Sequence, residues 1–315
     1  MTGRRLALGC AIGIALVARC NNTSTGTDSG TPGTDSGGMT GLPVVSVGSS
    51  TMPMAADLSC LGMRTAPMAG DPAAATVTVH DFQFAMNAIA NAQVNLFPDN
   101  QITDGCTGTC IAAMTDASGA LMATMPAGGW FAYRIGAGAT SGSSTTVLTV
   151  AYNRTAPAAG GTIDLPSVSL STIGLIPTLF MRTRVAGRGI VSGSIVDCAG
   201  EEIRGAEVHM FNGDTEIVGG PGAMDTFFGY FNGSRLPAAT AVYTNYDGIF
   251  AGANVNVPDA GSPIRVELRG VTEEGGDPVL LACEEIEIFA DAVSIISVGP
   301  LRSDYAADHG CNGRD

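Results

Sequence analysis

The chain carries eight cysteines, three histidines and several adjacent carboxylates, and the spacing of these groups decides what chemistry they can do. His80 and His209 fall at the polar phase of alternating runs. With His309 they make no H-x-x-x-H pair, so they read as strand residues turned to solvent. Glu201-Glu202, Glu273-Glu274 and Glu284-Glu285 are neighbours in sequence. Neighbours on a strand point to opposite faces, which is the wrong arrangement for a cooperating acid and base. There is no G-x-S-x-G elbow, and no G-x-G-x-x-G in a strand-to-helix setting. All 15 basic residues are arginine. Without lysine there is no Walker A loop, no Schiff-base nitrogen and no S-x-x-K nucleophile. The sequence therefore assigns no catalytic residue, no metal ligand and no cofactor.

The cysteines do suggest chemistry. Residues 2–5 are basic, residues 6–18 form an apolar run, and Cys20 follows at once. The run is too short to span a bilayer, where about 20 residues are needed, and fits a secretory signal over residues 1–19. A Gly/Ser/Thr/Asp/Pro tract follows, with the composition of a flexible tether through residues 20–55. The arrangement resembles a bacterial lipoprotein signal, which implies lipidation of Cys20. Arg19 stands where that pattern has Gly, Ala or Ser. Cleavage near Ala18, giving a soluble secreted protein, is the alternative. Without Cys10 and Cys20, six cysteines remain, and an even set in an exported chain suggests disulfides. Cys106-Cys110 in "CTGTC" reads as a local clip, since a zinc site would need a second ligand pair. Among the 15 pairings open to six cysteines, Cys198-Cys283 would close the second half, leaving Cys60-Cys311.

Composition narrows the partners. The net charge is −14, so the chain lacks the basic footprint of nucleic-acid binding, and anionic headgroups should repel it. A membrane would be reached through the lipid anchor. Gly numbers 43 and charged residues only 14%, which suits a β-rich exported protein.

The elements that must position these groups read as strands. Val77 and Val79 alternate with threonines. Val94 and Leu96 alternate with Gln93 and Asn95, and Phe131, Tyr133 and Ile135 share a face. Ile264, Val266 and Leu268 alternate with Arg265, Glu267 and Arg269; Ile286 and Ile288 alternate with Glu285 and Glu287. Period two with one polar face marks half-exposed antiparallel sheets, and Gly, Pro, Asn and Asp clusters separate the runs. No long amphipathic helix stands out. Residues 169–187 read as a last strand and an interdomain connection, too polar and too broken by Pro177 to span a membrane.

A repeat runs through the body. Asp81, then Ala92 and Val94, then "TDASG" (115–119) return as Asp197, Ala206 and Val208, and "TNYDG" (244–248). From Ala92 to Thr115 is 23 residues and from Ala206 to Thr244 is 38, so the second copy carries about 15 more. In both phrases Asp116 and Asp247 suit hydrogen bonds to nearby backbone, and Gly119 and Gly248 suit positive φ. A calcium loop would need D-x-D-x-D-G spacing, which neither has. The carrying residues, "V-x-V-x-D", "A-x-V-x-L" and "T-D-A-x-G" in the first copy and "G-S-I-V-D-C-A-G-E-E-I-R-G-A-E-V" with "T-N-Y-D-G-I-F" in the second, resemble the carboxypeptidase regulatory-like domains. The resemblance implies two tandem immunoglobulin-like or transthyretin-like antiparallel β-sandwiches after the signal peptide and disordered linker. They would occupy residues 56–185 and 186–305, with a tail at 306–315. It also implies a non-catalytic attachment or spacer module.

Two aromatic features could meet a partner, protein or glycan. Trp130 is the only tryptophan, and alternation sets it opposite Phe131 and Tyr133. Phe227, Phe228, Tyr230 and Phe231 lie within the longer copy's extra segment. As a surface loop they would form a binding patch; folded over an open sheet edge they would be core. The sequence thus points to an exported, lipid-anchored protein of the cell envelope with a structural or adhesive role. A carbohydrate-binding accessory protein is the alternative.

Overall fold

The computed structural model describes residues 41–83, 87–103, 105–141, 144–157, 161–232, 237–238, 240–259 and 262–303. Cys20, His309, Cys311, the signal segment and the C-terminal tail lie outside them.

The fold is almost entirely β. A hairpin of β1 (Ser46–Ser49) and β2 (Met52–Ala55) precedes the first copy. That copy comprises β3 (Pro72–Asp81), β4 (Gln93–Phe97), β5 (Ile111–Met114), β6 (Ala120–Pro126) and β7 (Trp130–Ile135), then β8 (Thr140–Ser141), β9 (Ser144–Thr145), β10 (Thr149–Thr155) and β11 (Thr162–Ser167). Helix α1 (Leu170–Leu179) leads to the second copy. There β12 (Gly189–Ile195), β13 (Glu207–Asn212), β14 (Thr215–Glu216), β15 (Phe227–Phe231) and β16 (Pro237–Ala238) are followed by β17 (Ile249–Val255), β18 (Ile264–Val271), β19 (Pro278–Ile286) and β20 (Val293–Val298).

Each copy is a sandwich with the same pairings. In the first, β11-β3-β6 faces β5-β4-β7-β10; in the second, β20-β12-β17-β15-β16 faces β14-β13-β18-β19. The copies are joined because β10 pairs in parallel with β20, from Thr149↔Val293 to Tyr152↔Ile296. One sheet of nine strands therefore runs through both halves. Most pairs are antiparallel, but β3–β11, β12–β20 and the joint itself are parallel.

This sheet is the middle layer of three. Phe131, Tyr133, Ile135, Ala251 and Ile295 on one face join a core with Val77 and Val79 of β3 and Leu165 of β11. Val150, Val191, Phe250 and Ile296 on the other face join a core with Met210 of β13 and Val266 and Leu268 of β18. Burial on both faces explains why every residue of β17 is buried, whereas β6, in the outer three-stranded sheet, alternates strictly.

Several expectations need correction. Residues 170–179 are a helix, not a strand: Ser169 caps it by accepting from the Thr172 N–H, while Ile173, Ile176 and Phe180 turn into the core. Pro177 lies inside the helix, in its last turn, and offers no N–H to the Ile173 carbonyl one turn back. The tether does not run to residue 55; Val45 and Val47 are already buried against the second copy. Of the two readings open to the aromatic run, the structure takes core: β15 adds a strand to β17, Tyr230 and Phe231 are buried, and the Phe231 ring meets the Phe180 ring edge-on at 5.5 Å. Phe227 and Phe228 are half-buried, Phe227 lying 5.3 Å from Phe180 and 4.5 Å from the Arg182 guanidinium.

The cysteines pair differently from two of the three expected bonds. Cys106–Cys110 is the local clip. Cys198, however, bonds Cys60 across 138 residues, which replaces both Cys198-Cys283 and Cys60-Cys311. Cys283 is disulfide-bonded to a partner outside the described residues. The cause is the path of residues 41–71. Before entering the first copy, this strap lies along the second. The Val45 N–H donates to Val271 O, the Asp57 N–H to Asp197 Oδ2 at 2.8 Å, and the Gly62 N–H to Leu301 O.

Candidate ligand cleft at the seam

The two copies share one local device, and it accounts for the repeated phrase. Thr115 Oγ1 donates to Ile89 O at 2.7 Å and accepts from the Ala92 N–H at 2.9 Å. Thr244 Oγ1 donates to Ile203 O at 2.7 Å and accepts from the Ala206 N–H at 3.0 Å. Gly119 and Gly248 both have positive φ, 76° and 61°, and their carbonyls accept from Val79 N–H and Ile195 N–H. A Cβ at Gly248 would lie 2.5 Å from Ile195 O; at Gly119 it would lie 3.0 Å from Val79 O. Asp116 Oδ1 accepts from the Ser118 and Ala120 N–H groups, and Asp247 Oδ1 from the Ile249 N–H. These are turn and staple contacts that position strands.

A ligand-sized space lies elsewhere, at the seam that the β10–β20 joint creates. A cleft of about 650 Å³ is walled by Pro67 and Ala69 of the strap, residues 98–103 after β4, and the end of β19. A second space of about 380 Å³ adjoins it, sharing Pro67, Trp130 and Arg302. Trp130 opens β7 opposite Thr155 and is half-buried; the Arg302 guanidinium sits 4.7 Å from its ring centre. Tyr152 lines the floor and donates its hydroxyl to Glu287 O at 2.8 Å. Asn100 and Asn153, both with positive φ, bind each other reciprocally at 2.6 and 2.8 Å and fix the loop after β4. Asp99, Glu285 and Glu287 supply carboxylates, Gln101 an amide and Thr103 a hydroxyl. Aromatic surface beside amides and carboxylates can hold a polar ligand with some apolar faces.

Of the sequence-derived candidates, only Trp130 lies here. Phe227, Phe228, Tyr230 and Phe231 belong to the far end of the same sheet. Tyr152 and Arg302 were missed, and no local signal marks them, because the β10–β20 joint that assembles the cleft is a long-range pairing. His80 and His209 are half-buried rather than exposed. Burial pushes the His80 imidazole below its usual range, whereas Glu207 and Glu216 raise His209, with Nδ1 lying 2.7 Å from Glu216 Oε1. Tyr133 and Tyr230 are pushed well above the usual tyrosine range by burial; each spans two sheets, Tyr133 donating to Pro166 O and Tyr230 accepting from the Val208 N–H. Among the described residues, no group of three or more His, Cys, Asp or Glu is placed to hold a metal ion, and no helix is long and apolar enough to cross a membrane.

No family model matches the chain, and no curated protein sequence matches it. Solved structures do. A structure of the Bacillus anthracis TIE protein aligns at 14% identity over 73% of this chain and 34% of that one, with a TM-score of 0.23, so the chain spans about a third of that protein. The shaft pilin SpaA of Lactobacillus rhamnosus GG aligns at 11% identity over 73% of this chain and 97% of that one, with a TM-score of 0.21. The minor pilin GBS52 of Streptococcus agalactiae aligns at 10% identity over 73% and 96%, with a TM-score of 0.19.

Proposed function

We infer that this chain is a non-catalytic structural or adhesive module of the cell envelope. It is exported, anchored through a lipidated Cys20 to the outer membrane, and displayed on the low-complexity segment that begins there. The observation that carries this reading is the shared nine-stranded sheet, cored on both faces and strapped by Cys60–Cys198. Such a build resists opening and suits a displayed spacer. The test is the intact mass of the unreduced protein from its native host, with the N-terminal peptide mapped. A diacylglyceryl group on Cys20 supports the anchored reading. An unmodified N-terminus near Arg19 makes the protein a soluble secreted one and removes the anchor.

A second reading, carbohydrate binding, is favoured by Trp130 and Tyr152 lining the seam cleft. Sugars present apolar ring faces and hydroxyls, which stacking aromatics and carboxylates complement. One side of Trp130 is already taken by Arg302, so a glycan must use the remaining edge or displace the guanidinium. A glycan array probed with the intact protein and with W130A decides it. Signal lost in the variant supports this reading, and an array without hits ends it.

A further inference from the structure

Methionine is normally among the more buried residue types, but here it covers the outside. Of the described methionines, only Met125 and Met210 are buried, one in each core. Met52, Met54, Met63 and Met68 stand exposed along the strap, Met68 at 92%. Met114 and Met122 stand exposed on β5 and β6 of the first copy, and Met181 and Met224 just beyond α1 and before β15. Among the described residues, the exposed large hydrophobics otherwise comprise four valines and Leu170, with no isoleucine or phenylalanine.

Leucine fills the same volume with the same apolar character, so hydrophobicity does not explain the choice of methionine at these positions. The thioether is what leucine lacks. These thioethers lie on separate elements of both copies and so do not form one docking patch. The described cysteines are all in disulfides, so methionine sulfur is the readily oxidised sulfur on the described surface. Oxidation there adds a polar oxygen to a side chain already in water and removes no core contact.

We propose that the exposed methionines form an expendable oxidant-quenching layer, a modification site for two-electron oxidants such as hypochlorous acid. In each event the thioether sulfur forms a bond to the oxygen of HOCl as the O–Cl bond breaks. Sulfur gives up two electrons to become the sulfoxide, chlorine leaves as chloride, and the proton goes to water. The layer shields the groups whose oxidation would do harm: the two core methionines and Trp130.

The test titrates the full, disulfide-intact chain with hypochlorous acid, reading intact mass, peptide maps, Trp130 fluorescence and Tm. The eight exposed positions should become sulfoxides before Met125, Met210 or Trp130 is touched, with Tm unchanged. With all eight replaced by leucine, loss of Trp130 fluorescence should move to a lower oxidant-to-protein ratio, by about eight equivalents. If that variant does not fold, M63L/M68L/M181L/M224L should show about half the shift. Oxidation of Trp130 or the core methionines first, unfolding when only the exposed sites are oxidised, or an unchanged ratio in the folded variants would overturn the proposal.

Discussion

The two copies use the same staple and the same pairings but meet different neighbours. In the first copy β3 lies in a three-stranded sheet with one face open to solvent, and its partner β6 alternates buried and exposed residues. In the second copy the equivalent β12 lies inside the nine-stranded sheet, and its partner β17 is buried throughout. Equivalent local chemistry thus sets strand direction and pairing, while the layer outside decides which residues a strand can carry. Gly193 is held by the sheet itself: a Cβ there would lie 2.6 Å from the Phe250 ring and 2.7 Å from Ile296 O, on the two strands that flank β12.

The largest test of this contrast is covalent. Replacing Cys60 and Cys198 by serine should cost about 5 kcal/mol by loop entropy, against about 2 kcal/mol for Cys106 and Cys110. Denaturant unfolding measures both, and equal costs would mean that the strap adds nothing to the second copy. Next come the turn glycines. G248A should cost about 3 kcal/mol and G119A about 2 kcal/mol, since both demand positive φ and the Cβ at Gly248 meets backbone more closely. The reverse order would show that the turns are not governed by this contact. T115V and T244V should each cost about 1–3 kcal/mol and match one another, because each strands one donor and one acceptor. A clear inequality would break the equivalence of the staples.

The smallest effect is titration, and it has opposite signs in the two copies. His209 is raised above 6.5 by its glutamates, so its contribution is fully present below pH 6.5 and is lost as pH rises through the folded value. His80 is lowered by burial, so it weakens the fold as pH falls below 6.5. Tm measured from pH 5 to 8 should show H209N losing stability chiefly at acidic pH, and H80N gaining there. Parallel profiles would remove the assigned causes.

Much of this was legible in the sequence. Val77, Val94, Tyr133 and Val266 announce their buried phase by alternation, and "TDASG" and "TNYDG" announce their turns. Strands with apolar residues at nearly every position, such as "IFAGANV", carry the mark of a doubly covered sheet, yet periodicity alone does not say what covers them. The β10–β20 joint, the strap and the Cys60–Cys198 bond depend on contacts between segments more than a hundred residues apart, which leave no local trace. The helix was hidden by Pro177 and the β-branched residues around it.

The strap has a mechanical consequence. A pull applied to the chain ahead of Cys60 enters the second copy directly through the bond to Cys198. The first copy sits within the 138-residue loop that this bond closes and bears none of the tension. Reduction of one disulfide would put that loop in line with the force. About 480 Å of chain would then become available to extend, at roughly 3.5 Å per residue, and the first copy would pass from sheltered passenger to shock absorber.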